Sequence, residues 1–236
     1  MTTLSDANAD VSACAVAWAG EVLHLLPDHA LWWPAGRVLF IADLHLGKAA
    51  TYRALGQPVP SGTTRENLRR LDALITQHRP AQLVFLGDFL HGPLAQQASL
   101  LGPLHAWRTS HAAVAMTLVR GNHDDRAGDP PATLAIEVVD EPHCIGPFAC
   151  CHIPQRHASH FVLAGHVHPV CHLSGRGRDS MRMPCFVGDE GGAILPAFGE
   201  FTGGHRIERQ AGRELYGVGG GRVWALPPVS GSQRRS

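Results

Sequence analysis

The chain carries its apolar residues in short unbroken runs, and several of these runs stop at a polar cluster. Val38-Leu39-Phe40-Ile41-Ala42 follows Arg37 without a polar interruption, which predicts a short strand buried on both faces. It ends abruptly in Asp43-Leu44-His45. Leu83-Val84-Phe85-Leu86 repeats the pattern and runs into Gly87-Asp88, and residues 114–119 repeat it again before Gly121-Asn122-His123-Asp124. Polar groups just past a buried strand lie at its carboxyl end, where open α/β sheets place their sites. Between the first two runs, Thr63-Thr64-Arg65-Glu66 reads as a capping box, the Thr63 hydroxyl meeting the Glu66 amide and the Glu66 side chain reaching back. Leu68, Leu71, Leu74 and Ile75 then share one helical face, and Pro80 lies past the expected end. A second helix is predicted over residues 94–111. Upstream, Val22, His24 and Leu26 alternate with other residues, and Leu31-Trp32-Trp33 precedes Pro34-Ala35-Gly36, the pattern of an antiparallel strand pair closed by a turn.

In the second half, strands are expected around residues 135–139, 148–151, 161–164 and 181–187, the last two bracketing His166-Val167-His168. Residues 215–218 and 222–226 form a hairpin pattern across Gly219-Gly220-Gly221. Helices alternating with strands early, and strands dominating late, predict two packed sheets with helices outside. The 236 residues suit one domain. It is expected over residues 13–227, with flexible termini at 1–12 and 228–236.

Composition narrows the classes. At 44% hydrophobic and 17% charged residues, the chain is not of disordered type. Lys+Arg and Asp+Glu are 20 each, so no global basic field can hold a polyanion from long range, and any such contact must be local. Six cysteines without a CxxC pair read as free thiols. A start without a positive and apolar leader pattern, and no apolar run near the roughly 18 residues of a membrane span, lead to the expectation of a cytoplasmic protein without a membrane partner. The 16 histidines direct attention to metal-ligand spacing, since imidazole is the commonest such ligand.

The strand ends supply the donors. Asp43 and His45 are two apart and would share one side of an extended segment, as would His166 and His168. With Asp88, Asn122 and His152 the set has seven members, more than the roughly four of a single zinc site. Two ions sharing one carboxylate use it without remainder.

In order, Asp43-Leu44-His45, Gly87-Asp88, Gly121-Asn122-His123-Asp124, His152 and Gly165-His166-Val167-His168 resemble the signature of the calcineurin-like metallophosphoesterases. Asp43-Leu44-His45-Leu46-Gly47-Lys48, Pro58-Val59-Pro60, Arg126-Ala127-Gly128-Asp129 and Leu195-Pro196-Ala197-Phe198-Gly199-Glu200-Phe201-Thr202-Gly203-Gly204 are similar to the bacterial DNA-ligase-associated phosphoesterases within that superfamily. The resemblance implies an α/β fold, the four-layer αββα metallophosphoesterase sandwich, and a dinuclear metal centre. It further implies phosphodiesterase chemistry and a DNA endonuclease role in repair beside a ligase and a helicase. By the same resemblance Asp43, His45 and His168 would hold one ion and Asn122, His152 and His166 the other, with Asp88 bridging. Two positions depart from the pattern: Asp125 stands where a basic residue is expected, and Ile153 follows His152 where Glu is expected.

Paired cations lower the pKa of a water between them and neutralise the phosphate oxygens under attack. His123, beside Asn122 but not needed for coordination, is the candidate to protonate the leaving oxygen, with Asp124 to orient it. Oxygen and imidazole donors favour manganese and also accept iron or zinc. Lys48, Arg53 and His91 are possible phosphate contacts, against surface or loop positions. Arg65, Arg69 and Arg70 read first as a solvated helix face. Two other functions stay open: a phosphoesterase for a small nucleotide or a lipid-linked pyrophosphate, and a non-catalytic scaffold.

Overall fold

The doubly buried runs form the centre of a seven-stranded sheet in a computed structural model that describes residues 12–60, 62–174 and 180–229. Apart from residues 12, 228 and 229, the predicted flexible termini lie outside the described residues. Strands β1 (Cys14–Trp18), β2 (Glu21–Leu25), β3 (Ala30–Trp33) and β4 (Val38–Ile41) make an antiparallel meander. From β4 the sheet continues in parallel through β5 (Gln82–Leu86), β6 (Ala115–Val119) and β7 (Glu137–Val139). Parallel pairing requires crossovers, supplied by helices α1 (Lys48–Ala54), α2 (Thr63–His78) and α3 (Ala98–Ser110). It also brings the carboxyl ends of β4, β5 and β6 to one edge, and with them Asp43, Asp88 and Asn122.

The second sheet holds β8 (His143–Ile145), β9 (Phe148–Cys150), β10 (Phe161–Ala164), β11 (Pro169–Ser174), β12 (Ser180–Gly188), β13 (Gly192–Ile194), β14 (His205–Arg206), β15 (Glu214–Gly219) and β16 (Arg222–Ala225). Here β9, β10 and β13 are parallel neighbours, so the loops carrying His152 and His166 leave the same edge. The β15–β16 hairpin forms as expected. One buried cluster joins the sheets, with Leu23, Phe40, Val84 and Leu86 from the first meeting Phe148, Leu163 and Phe186 from the second. Another packs Leu68, Leu71, Leu74 and Ile75 of α2 and Leu104 and Trp107 of α3 on the far face of the first sheet.

The two-sheet sandwich is as predicted, but its helices are unevenly shared. Besides α1–α3 and the short α4 (Asp124–Ala127) there are only two 3-10 turns among the described residues, and no helix follows the second of them, Ala132–Leu134. Three local expectations are corrected. In β2 the inward residues are Leu23 and Leu25, while Val22 is 57% exposed; Leu26, beyond the strand, turns to the other cluster. Helix α2 starts where predicted but without a capping box: its N-cap is Gly62 at φ 96, and Glu66 bonds Arg69 at 2.6 and 2.9 Å. The helix expected over 94–111 breaks at Gln97 (ψ 146) into a 3-10 turn, Pro93–Gln96, and α3. The Gln96 amide there donates to the carbonyls of Ala127, Gly128 and Asp129. Among the described residues no helix is long and apolar enough to cross a membrane.

Candidate metal centre

The seven donors from both sheets converge. Asp43, His45, Asp88 and His168 place one donor atom each within 4.8 Å of one another, and Asp88, His152 and His166 do the same. Asp88 belongs to both groups. Asn122 joins the second, its Oδ1 lying 3.0 Å from His152 Nε2. The convergence does not come from extended backbone. Asp43 (φ 53), His45 (φ 49), Asp88 (φ 49), His166 (φ 67) and His168 (φ 50) are all left-handed, so each loop turns sharply at its donor.

Backbone bonds zip these loops together. His45 and Leu46 donate to the carbonyls of Asp88 and Phe89, and His91 donates to that of Leu46. The His166 amide donates to the Asp43 carboxylate at 2.9 and 3.1 Å, and the His123 amide to Asp88 Oδ1 at 2.9 Å. Glycines preceding the donors permit this closeness. A Cβ on Gly87 would lie 2.1 Å from His152 Nδ1, and one on Gly121 would lie 2.5 Å from Asp88 Oδ1. Sequence reading used these glycines as motif letters and missed their packing role, which shows only once the partner loop is in place.

The ring nitrogens are directed from behind. Leu86 O lies 3.1 Å from His152 Nδ1 and Thr202 O lies 2.7 Å from His168 Nδ1. Each carbonyl fixes the proton on Nδ1 and leaves the Nε2 lone pair facing inward, the arrangement a metal ligand requires. These carbonyls were not legible in the sequence, since any residue type can supply them. Inside, donors face donors: His45 Nε2 is 3.2 Å from His168 Nε2, and His152 Nε2 is 3.0 Å from His166 Nδ1. Asp43 and Asp88 are buried, and their ion pairs among the described residues are all with histidines. Burial, with Lys48 and the neighbouring imidazoles, holds His45 well below the usual histidine range and hence neutral. For His168 burial also acts downward, but the hydrogen bond and charge of Asp43 outweigh it, and its pKa is raised. Buried carboxylates and inward lone pairs without a guanidinium to neutralise them fit divalent cations.

The remaining candidates separate. His123 lies at the rim with its Nε2 4.0 Å from Asp88 Oδ2; burial is the main cause lowering its pKa, against the charge of Asp88. His91 belongs with it, stacked at 4.4 Å between ring centroids, and its Nδ1 is 3.3 Å from His45 Nδ1. Desolvation lowers His91 to about 4. Asp124 does not orient His123. Fully buried, it accepts the amides of Gly121 (3.0 Å), Leu90 (2.9 Å) and Phe89 (3.3 Å), clamping the loop after β5 to the loop after β6. Desolvation raises its pKa to about 6 against those bonds. Lys48 is buried at the start of α1, its pKa lowered by burial and supported by the charges of Asp88 and Asp43, so the surface alternative falls away. Arg53 is exposed and donates to Pro60 O at 2.9 Å, lining a cleft with Arg65. Arg70 is no free helix-face charge: it donates to Phe198 O and Asp28 O and lies 4.0 Å over the Phe198 ring. Where Glu was expected after His152, Glu141 from the first sheet's last loop accepts the amides of both His152 and Ile153.

The chain is similar to known phosphoesterases and nucleases. The family described as "Calcineurin-like phosphoesterase" matches residues 36–154. The crystal structure of the Pseudomonas putida nuclease MPE is 49% identical, covers 91% of this chain and 100% of its own, and superposes with a TM-score of 0.80. Yfce, a phosphoesterase from E. coli, is 14% identical over 82% of this chain and 99% of its own, with a TM-score of 0.41. No curated protein matches.

Proposed function

This chain belongs to the calcineurin-like phosphoesterase family, and from that premise we propose that it is a metal-dependent phosphodiesterase that cuts DNA. The observation that carries the proposal is the sharing of the buried Asp88 between two donor clusters. The P. putida nuclease supports a nucleic acid as substrate, and the resemblance to the DNA-ligase-associated phosphoesterases narrows it to DNA.

In this reading Asp43, His45 and His168 hold one divalent ion, Asn122, His152 and His166 the other, and Asp88 both. Nitrogen and oxygen donors without a thiolate favour manganese, with iron and zinc also acceptable. When bound, such ions supply positive charge for the phosphate oxygens and acidify a water as nucleophile. His123, partly exposed at the rim, donates a proton to the leaving oxygen. The His91 ring stacked on it limits its rotation. Asp124 positions Asn122 and Asp88 relative to each other through the amides it accepts. Lys48 adds a charge to the phosphate that enters, and Arg53 with Arg65 contacts the strand further out. Work beside a ligase and a helicase in repair extends the same reading.

A cavity of about 700 Å³ beside His168, lined also by Arg70 and Arg182, favours a second reading: a nucleotide or another small phosphoester as substrate. The test is manganese-dependent turnover of single-stranded, duplex and circular DNA beside nucleotides and small phosphodiesters. Internal cuts in the circle are expected. Asp88→Ala should abolish turnover and lower the metal content, because one carboxylate serves both ions. Turnover of the nucleotide alone would replace the first reading by the second, and full activity of Asp88→Ala would overturn the dinuclear assignment.

A further inference from the structure

A second group of donors lies outside this centre, at the edge of the second sheet. Cys144, His157 and His160 bring one donor atom each within 4.8 Å of one another. Cys144 is exposed on β8, the last strand in the order of that sheet, and pairs with Ala149 of β9. The two histidines lie on the segment that joins β9 to β10, their ring centroids 4.8 Å apart. We infer that Cys144, His157 and His160 form a binding site for one thiophilic transition-metal ion of zinc type, separate from the catalytic ions.

The donor chemistry distinguishes the two places. One sulfur and two imidazoles suit zinc or cobalt, whereas the mixed oxygen and nitrogen donors around Asp88 suit harder ions. Three protein donors leave a fourth tetrahedral position for water. A cavity of about 660 Å³ opens beside His157 and His160, lined also by Asp189, Glu190 and Glu214; Arg156 pairs with Asp189, and the two glutamates leave the lining negative, so the local field attracts a cation. His160 Nδ1 lies 3.0 Å from Ser159 Oγ, and its Nε2 has no hydrogen-bond partner among the described residues. His157 Nδ1 accepts the amides of Ser159 and His160 at 3.3 and 3.1 Å, long bonds that a cation can replace while the amides turn to water. On binding, the Cys144 thiol releases its proton to solvent and the sulfur takes the coordination bond. Because His152 opens the same segment, the ion would tie the chain leaving the catalytic centre to the sheet edge.

Cobalt titration of the full-length protein tests this. A thiolate-to-cobalt charge-transfer band is expected at stoichiometric metal, displaced by zinc. The donors around Asp88 include no sulfur, so the band reports Cys144 alone and should persist in Asp88→Ala. It should vanish in Cys144→Ser, and His157→Ala with His160→Ala should move binding to much higher cobalt. Zinc should also slow alkylation of Cys144 in the unaltered protein roughly tenfold, since a coordinated thiolate is a poor nucleophile. No band, a band surviving in Cys144→Ser, binding unmoved by the histidine variants, or unprotected alkylation would each overturn the site.

Discussion

At the residue scale, the sequence indicated which donor side chains could come together but not the backbone conformations that bring them together. The spacing Asp43-x-His45 and His166-x-His168 indicated that each pair belongs together, but the side-by-side arrangement on an extended segment proved to be a pair of left-handed turns. Such φ values for non-glycine residues cost about 1–3 kcal/mol each and persist where surrounding bonds over-determine them. Here the amides donated to Asp43, Asp88 and Asp124 do so. A sequence shows which residues can accept an amide, not which amide arrives. That explains why Asp124 was read as the partner of His123 although it fastens two loops. His123, read from the sequence as the neighbour of Asn122, lies 4.0 Å from the Asp88 carboxylate, and the role proposed for it is measurable. His123→Ala should retain both metals and slow turnover by roughly 10²–10⁴-fold, the range for one lost general acid. Metal analysis beside single-turnover rates checks this; metal loss would place His123 in the coordination shell.

At the element scale, the strands with apolar residues on both faces were the most legible, because a parallel central strand needs no alternation to be recognised. β4, β5 and β6 appear within a residue or so of their expected limits. β8, β13 and β14 span two or three residues, too few to show a period, and they exist only through their pairing. For helix α2 the amphipathic face was right and the start signal was wrong. Thr63 is the first helical residue, not the cap, and Gly62 at φ 96 turns the chain into the helix. The two accounts predict opposite sensitivities. Gly62→Ala should lower stability by about 1–2 kcal/mol, purely from left-handed backbone, since a Cβ there meets nothing within 4 Å. Glu66→Ala removes only an exposed pair with Arg69 and should leave stability nearly unchanged. Urea unfolding of both variants decides; a larger loss for Glu66→Ala would restore the capping box.

At the scale of the whole molecule, charge sets how substrate can be held. The formal net charge is +0, so affinity for DNA must come from a few local contacts rather than a long-range field. Of the basic groups once considered, Lys48 is buried at the centre and Arg70 is committed to Phe198 and Asp28, while Arg53 and Arg65 remain along one cleft. Each neutralised phosphate contributes about −0.9 on duplex and −0.7 on single strands to the log–log salt slope, so contacts by Lys48, Arg53 and Arg65 give a total of roughly −2 to −3. The donors lie at the base of converging loops, with Asp43, Asp88 and His152 each nearly inaccessible. A scissile phosphate must descend to them, which a flexible single strand does more readily than a duplex with its persistence length of about 150 base pairs. Matched single-stranded and duplex substrates should therefore differ in initial rate in favour of the single strand, by a ratio that widens as salt rises because the duplex slope is the steeper. A duplex preference combined with a steep slope would contradict this and require a broad basic surface, which a chain with balanced charge would have to assemble from one face alone.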